Sequence, residues 1–285
     1  MTVETTSVKR EVNLLSAETF SAKEALKLLR RQPIKYIRGV LGVYALSLAG
    51  CELGSTARAS YFLMRYIDDI LDGDRSTSGN PIEEVLDLRT QIETDFFGDS
   101  EISGLAQHAV RSLEKRGGKG DNPRGDFLNA VDAMIFDHER AKERRVLSNS
   151  QIEEYYWKLF SPLVNLMLIG LGSRLRTEDI PSLSYGQGRV YSIRDLKQDW
   201  TNGLLNVPGE ILREAHLSSS STHEEVKQSP VVASWFQVSL GRTREELKEL
   251  QERLKSNPEA ITNKMCNGLI NPLIRFTNNF LREAA

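Results

Sequence analysis

The chain has 285 residues, 40% hydrophobic and 27% charged, with a formal net charge of −2. That balance is ordinary for a globular protein and argues against a general nucleic-acid binder, which needs a basic surplus. The longest apolar stretches, around 40–49 and 163–171, suit buried helices and are too short to span a bilayer.

In chain order, the opening MTVETTSVKREV lacks the apolar centre of a signal peptide, and residues 1–18 are expected as a flexible lead into one domain covering 1–285. Apolar residues then recur every three or four positions over 22–31, 34–49, 53–72, 82–97, 101–115, 126–146, 151–171, 185–200, 231–254 and 259–282, which predicts helices there. Ser21–Glu24, Ser150–Glu153 and Thr222–Glu225 have the spacing of capping boxes. Glycines 73, 98, 117, 172 and 203 stand where helices should stop. Pro162 falls inside a helical pattern that resumes at once, so it should kink that helix without ending it. Segments 73–81, 116–125 and 216–223 read as loops, and alternating β-branched runs with Asn-Gly turns are absent. The fold class predicted is all-α.

Cys51 and Cys266 are the only cysteines and are expected as free thiols in a reducing, cytoplasmic setting. The four histidines form no His-x-x-x-His pair, so zinc chemistry has little support. Gly186-x-Gly188 follows no strand and is not a dinucleotide fingerprint. Trp157, Trp200 and Trp235 are expected as packing residues, and RTREELKELQERLK as a solvated, charge-paired face.

Two acidic clusters carry the chemistry. YFLMRYIDDILD puts Tyr61, Arg65, Asp68 and Asp72 on one helical stripe, and Tyr191, Asp195 and Asp199 form a second with Arg194 beside it. Aspartates at i and i+4 repel by roughly 0.2–0.5 kcal/mol on an isolated helix, so a repeated pair predicts a cation between the carboxylates. Magnesium suits short oxygen ligands, usually one or two carboxylates completed by water and phosphate oxygens. A diphosphate is then the natural substrate, neutralised by metal and by arginine. If its organic part is allylic, its departure leaves a carbocation that aromatic faces stabilise.

These segments resemble the squalene/phytoene synthase family, which joins two allylic chains head to head. Residues 61–72 resemble its first motif, Y-x-F-C-R-x-x-D-D-x-x-D, at Tyr61, Arg65, Asp68, Asp69 and Asp72. RDLKQDWTNGLLNVP resembles the second, R-D-x-x-x-D-x-x-x-G-x-x-x-x-P, at Arg194, Asp195, Asp199, Gly203 and Pro208. AMIFDHE resembles a further acidic helix, with Asp137 as the family acid. The resemblance implies a single-domain isoprenoid-synthase helical bundle with a central apolar cavity. It implies magnesium, three ions with bound diphosphate, on Asp68, Asp72, Asp195 and Asp199. Tyr61 and the same four aspartates would be catalytic, and Arg65, Arg194 and Tyr191 would hold the substrate diphosphate. The implied substrate is a C15 or C20 isoprenyl diphosphate, with product release by peripheral membrane contact; NADPH is not favoured.

Departures from the pattern accompany these matches. Tyr191 stands where the family usually has asparagine, Gln198 where it has an acid, and Glu18 where it has a basic phosphate ligand. Lys23, Lys27, Arg30, Arg31, Lys35 and Arg38 are candidate replacements for that base. Phe160, Ser161 and Pro162 replace small residues in a segment that lines the family cavity.

Three other functions share part of this evidence. A class I terpene cyclase would use the same metal site on one substrate. A chain-elongating prenyl synthase fits DDILD but lacks a matching second motif. A non-enzymatic assembly protein of the same fold is disfavoured by the four retained aspartates.

Overall fold

The computed structural model describes the backbone of residues 2–31, 33–77 and 79–283; the side chains of 2–15, 34, 35 and 38, including the candidate bases Lys35 and Arg38, lie outside the described residues. Among the described residues every regular element is helical, so the all-α expectation holds. No described helix is long and apolar enough to cross a membrane. The chain divides into two compact units, one of residues 1–131 with 169–172, the other of 132–168 with 173–285.

The first unit contains α1 (Thr2–Arg31), α2 (Pro33–Ala45), a 3-10 turn (Leu46–Ala49), α3 (Cys51–Leu71), α4 (Pro81–Thr94) and α5 (Glu101–Arg116). The start of α6 (Pro123–Glu143) also belongs to it. The helix α3 packs against α1, α2, α4 and α5. Leu63, Ile67 and Ile70, at helical spacing, are 0–1% exposed. Burying each contributes about 1.5–3 kcal/mol, and that fixes which face of α3 remains for polar chemistry.

The second unit holds most of α6, most of α7 (Asn149–Gly170), α8 (Pro181–Arg194), α9 (Leu196–Thr201), α10 (Gly209–Glu214), α11 (His223–Gln228), α12 (Pro230–Lys255) and α13 (Ala260–Glu283). Its main core joins Val164 and Leu168 of α7, Leu183 and Val190 of α8, Leu240 and Leu247 of α12, and Cys266 and Ile270 of α13. A smaller cluster gathers Leu147, Ile152, Tyr155 and Tyr156. The Gly186-x-Gly188 pair lies within α8 and serves packing. A Cβ on Gly188 would stand 2.3 Å from the Tyr156 ring, so only glycine lets α8 lie this close to α7.

The structure realises some of the local signals and departs from others. The Thr222–Glu225 capping box is present. Ser21 instead lies inside α1 and donates to the Ala17 carbonyl at 2.8 Å, because α1 begins far upstream of it. The cap expected at Ser150–Glu153 is made two residues earlier: Ser148 and Gln151 exchange backbone-to-side-chain bonds of 2.8 and 3.3 Å. Glycines 73, 172 and 203 follow helix ends with positive φ, and Gly117 caps α5. Gly98 does not stop α4; Asp95 does, in a left-handed conformation at φ 56°. The helix α7 continues through Pro162. Cys51 and Cys266 are both free thiols, the first exposed and the second buried. Trp200 is 2% exposed and its indole N–H donates to the Ser221 carbonyl at 2.8 Å, as a packing residue. The charged face of α12 is paired as expected, Arg242 with Glu246 and Lys255 with Glu252, both at 2.6 Å.

Candidate functional site

The first acidic motif occupies the last turns of α3. The helix ends at Leu71, and Asp72 is its C-cap, with its N–H bonded to the Asp68 carbonyl at 2.9 Å. Gly73 follows at φ 73° and bonds back to Ile70, so the chain turns away immediately after the motif. Asp72 is exposed and Asp68 about one-third exposed, whereas Asp69 is buried. Adjacent aspartates therefore have different roles: two lie on the accessible stripe and one is a buried anchor.

Arg65 serves both. Its guanidinium meets Asp68 at 2.5 Å, and its Nε donates to Asp69 at 2.7 Å. Against a burial penalty that favours the neutral form, the Asp68 and Asp69 carboxylates raise its pKa further and keep it charged. Arg31 reaches the same Asp69 oxygen at 3.2 Å and Asp74 at 2.8 Å. The Tyr36 ring lies 5.4 Å from the Arg31 guanidinium and 5.0 Å from that of Arg65. Two cations are thus held side by side next to the motif. Tyr61 packs edge-on against Phe62 at 5.2 Å, and burial raises its phenol pKa.

Glu18 is not a solvated exception to the pattern. It accepts two bonds from the buried Arg58, at 2.8 and 3.0 Å, and Arg58 also lies 5.1 Å from the Tyr44 ring. Of the replacement bases whose side chains are described, Lys23 pairs with Glu101 and Lys27 with Glu24, while Arg31 pairs with a motif aspartate.

The second motif is not one uninterrupted helix, as its spacing suggested. The helix α8 ends at Arg194, and Asp195 (φ −96°, ψ 8°) joins it to α9. The Asp199 N–H still bonds to the Asp195 carbonyl at 2.9 Å, which keeps the two carboxylates one turn apart. The helix α9 then closes in a Schellman arrangement: Leu204 N–H bonds to Asp199 O at 2.8 Å and Gly203 N–H to Trp200 O at 3.2 Å.

Arg194 grips Asp195 with two bonds of 2.8 and 2.5 Å and lies 4.3 Å from the Tyr191 ring. Tyr191 in turn meets Phe160 edge-on at 5.8 Å. Gln198 faces outward to Asn202 at 3.2 Å. Burial, reinforced by the neighbouring Asp195 charge, pushes the Asp199 carboxyl up to about 7 despite a bond from Asn206. The nearby Arg140 charge and the Asn206 bond only partly offset this, and a bound cation would supply further positive charge.

Three residues of this unit were not read as site residues in their own right. Arg140 is fully buried, donates to Asp137 at 3.0 Å and to Asn206 at 2.5 Å, and lies 4.4 Å from the Tyr155 ring. Tyr155 donates its hydroxyl to the other Asp137 oxygen. Asn206 completes the path by donating to Asp199 at 3.0 Å. Asp137 was visible in the sequence as a family acid. Arg140 and Asn206 carried no signal beyond standing three residues after Asp137 and two before Pro208.

The donors suit magnesium. Each motif offers hard carboxylate oxygens from short side chains, within the usual number of one or two per site. Among the described residues no three His, Cys, Asp or Glu side chains form a ready-made cluster. Magnesium does not require one, since it retains waters and takes phosphate oxygens.

Residues 43–266, a span that includes both motifs and Asp137, match the family model for squalene/phytoene synthase. No curated protein matches the chain significantly.

Proposed function

Because the chain belongs to the squalene/phytoene synthase family, all-α prenyltransferase-type enzymes acting on isoprenyl diphosphates, we propose that it condenses two allylic isoprenyl diphosphates head to head with magnesium. The observation that carries this reading is the retention of both aspartate pairs, each with a motif arginine bonded to one of its carboxylates.

In the proposed reaction the C–O bond of one substrate breaks, and its diphosphate leaves with the electron pair. The double bond of the second chain attacks the allylic cation; loss of a proton closes a cyclopropane. Departure of the second diphosphate and rearrangement then end in proton loss, or in hydride transfer if NADPH is present. Magnesium on Asp68, Asp72, Asp195 and Asp199 would supply charge neutralisation for the departing diphosphate. Arg65 and Arg194 would add guanidinium donors, exchanging part of their hold on Asp68 and Asp195 for phosphate oxygens. Tyr61 and Tyr191 would offer ring faces to the developing cation.

One observation favours a second reading. Phe160 replaces a small family residue and packs against Tyr191, which supports cyclisation of a single allylic diphosphate in a narrowed space. Incubation with C10, C15 and C20 allylic diphosphates plus magnesium, with and without NADPH, followed by mass spectrometry of the extract, separates the two. A doubled carbon number supports condensation, and a preserved one supports cyclisation. Failure to release diphosphate from any of the three would refute both.

A further inference from the structure

We propose that Asn206 and Arg140 are positioning residues that set the orientation of the Asp199 carboxylate toward its cation. The inference rests on the reading of Asp199 as a metal ligand and deepens it. Five side chains form one hydrogen-bonded path: Tyr155 to Asp137, Arg140 to Asp137, Arg140 to Asn206, and Asn206 to Asp199.

The chemistry of the partners determines the direction of every bond. Arginine is only a donor, and an ionised carboxylate is only an acceptor. Arg140 Nη2 therefore requires the carbonyl oxygen of Asn206, and the Asn206 amide must turn its NH2 toward Asp199. A flipped amide would set two donors face to face at Arg140 and two acceptors face to face at Asp199. Arg140 is in turn held by Asp137 and by the Tyr155 ring, and it is 0% exposed, so little solvent can relax it. Its Nη1 has no hydrogen-bond partner among the described residues. Leaving a buried donor unmet is costly, so this guanidinium is not placed for its own satisfaction.

The consequence lies at Asp199. Asn206 occupies Oδ2, which leaves Oδ1 as the oxygen offered to a cation. The backbone is held by the Schellman bonds of Gly203 and Leu204, and the side chain by Asn206. Such outer partners commonly change metal affinity 10- to 100-fold.

The test reads magnesium affinity and does not rely on turnover. Thermal shift is measured with saturating inorganic pyrophosphate over a magnesium titration, for wild type, N206A, R140K and R189K. The R140K variant keeps a charge beside Asp137 but lacks the fork that reaches Asn206. The R189K variant perturbs another buried ion pair of the same unit, to Glu153 and Glu246, and controls for general destabilisation. We expect the magnesium midpoint to rise about tenfold in N206A and R140K and to stay at the wild-type value in R189K. An unchanged midpoint in N206A, or in R140K if N206A does not fold, overturns the inference while leaving the metal reading intact. An equal shift in R189K also overturns it. No magnesium-dependent stabilisation of the wild type would overturn the metal reading and this inference with it.

Discussion

Substituting Gly203 by alanine should damage this protein through its backbone, at a site that a motif comparison would call functional. Gly203 has φ 91°, a conformation that costs an L-residue about 1–2 kcal/mol. An added Cβ would also stand 2.2 Å from the carbonyl oxygen of Ala141 and 3.1 Å from its carbon. Both are backbone atoms in the last turn of α6, so no side chain can swing aside. Relief requires shifting α6 from α9, an overpacking cost of about 1–3 kcal/mol. Together these predict a loss of about 2–5 kcal/mol, or a melting temperature lower by roughly 5–15 °C for a chain of this size. Circular dichroism melts of G203A and of G241A provide the comparison. Gly241 lies inside α12 with nothing within 4 Å of its would-be Cβ, so alanine there should stabilise by about 0.5–1 kcal/mol. A G203A variant that melts with the wild type would refute the argument from close approach. The reason for glycine at this motif position would then have to be sought in substrate contact.

Other consequences can be checked separately. Asp72→Asn and Asp195→Asn should each abolish turnover with an unchanged far-ultraviolet spectrum, and EDTA should do the same reversibly; wild-type rates in both variants would contradict the metal assignment. Burial holds the His108 imidazole below its ordinary pKa, with its Nε2 2.8 Å from the Ser55 hydroxyl. The unfolded chain therefore binds more protons than the folded one below about pH 6.5, and stability should fall as pH drops from 6.5 toward the folded value. Denaturant melts at pH 7.5 and 5.5 should show a smaller loss in His108→Gln than in wild type, and parallel losses would count against it. Arg189 is 3% exposed and bonded to Glu153 and Glu246 at 2.5 and 2.8 Å. Arg189→Leu leaves the half-buried Glu153 without its cation and Glu246 with Arg242 alone, and should cost about 3 kcal/mol by urea denaturation. A loss under 1 kcal/mol would mean that both acids are already well solvated.

Much of the local architecture follows from the order of residues alone. Helix period, the Thr222–Glu225 cap and the glycine stops at 73, 172 and 203 depend on bonds that span five residues or fewer. The aspartate pairs were legible for the same reason, since one helical turn brings Asp68 near Asp72 and Asp195 near Asp199. Local pattern failed where longer-range contact intervened. Ser21 has the spacing of a cap, yet α1 extends past it, and Asp69 matches the motif with no role of its own until Arg31 and Arg65 close over it.

What the sequence determined by itself is the all-α class, the two acidic motifs and the family they resemble. Tertiary structure alone decided that Glu18 is neutralised by Arg58, that Asp69 is an anchor, and that Arg140 reaches Asn206 across 66 residues of chain. The physical reason is the range of the interactions. A helix is specified by neighbours along the chain, whereas a buried charge finds its partner only after distant segments have packed and excluded water.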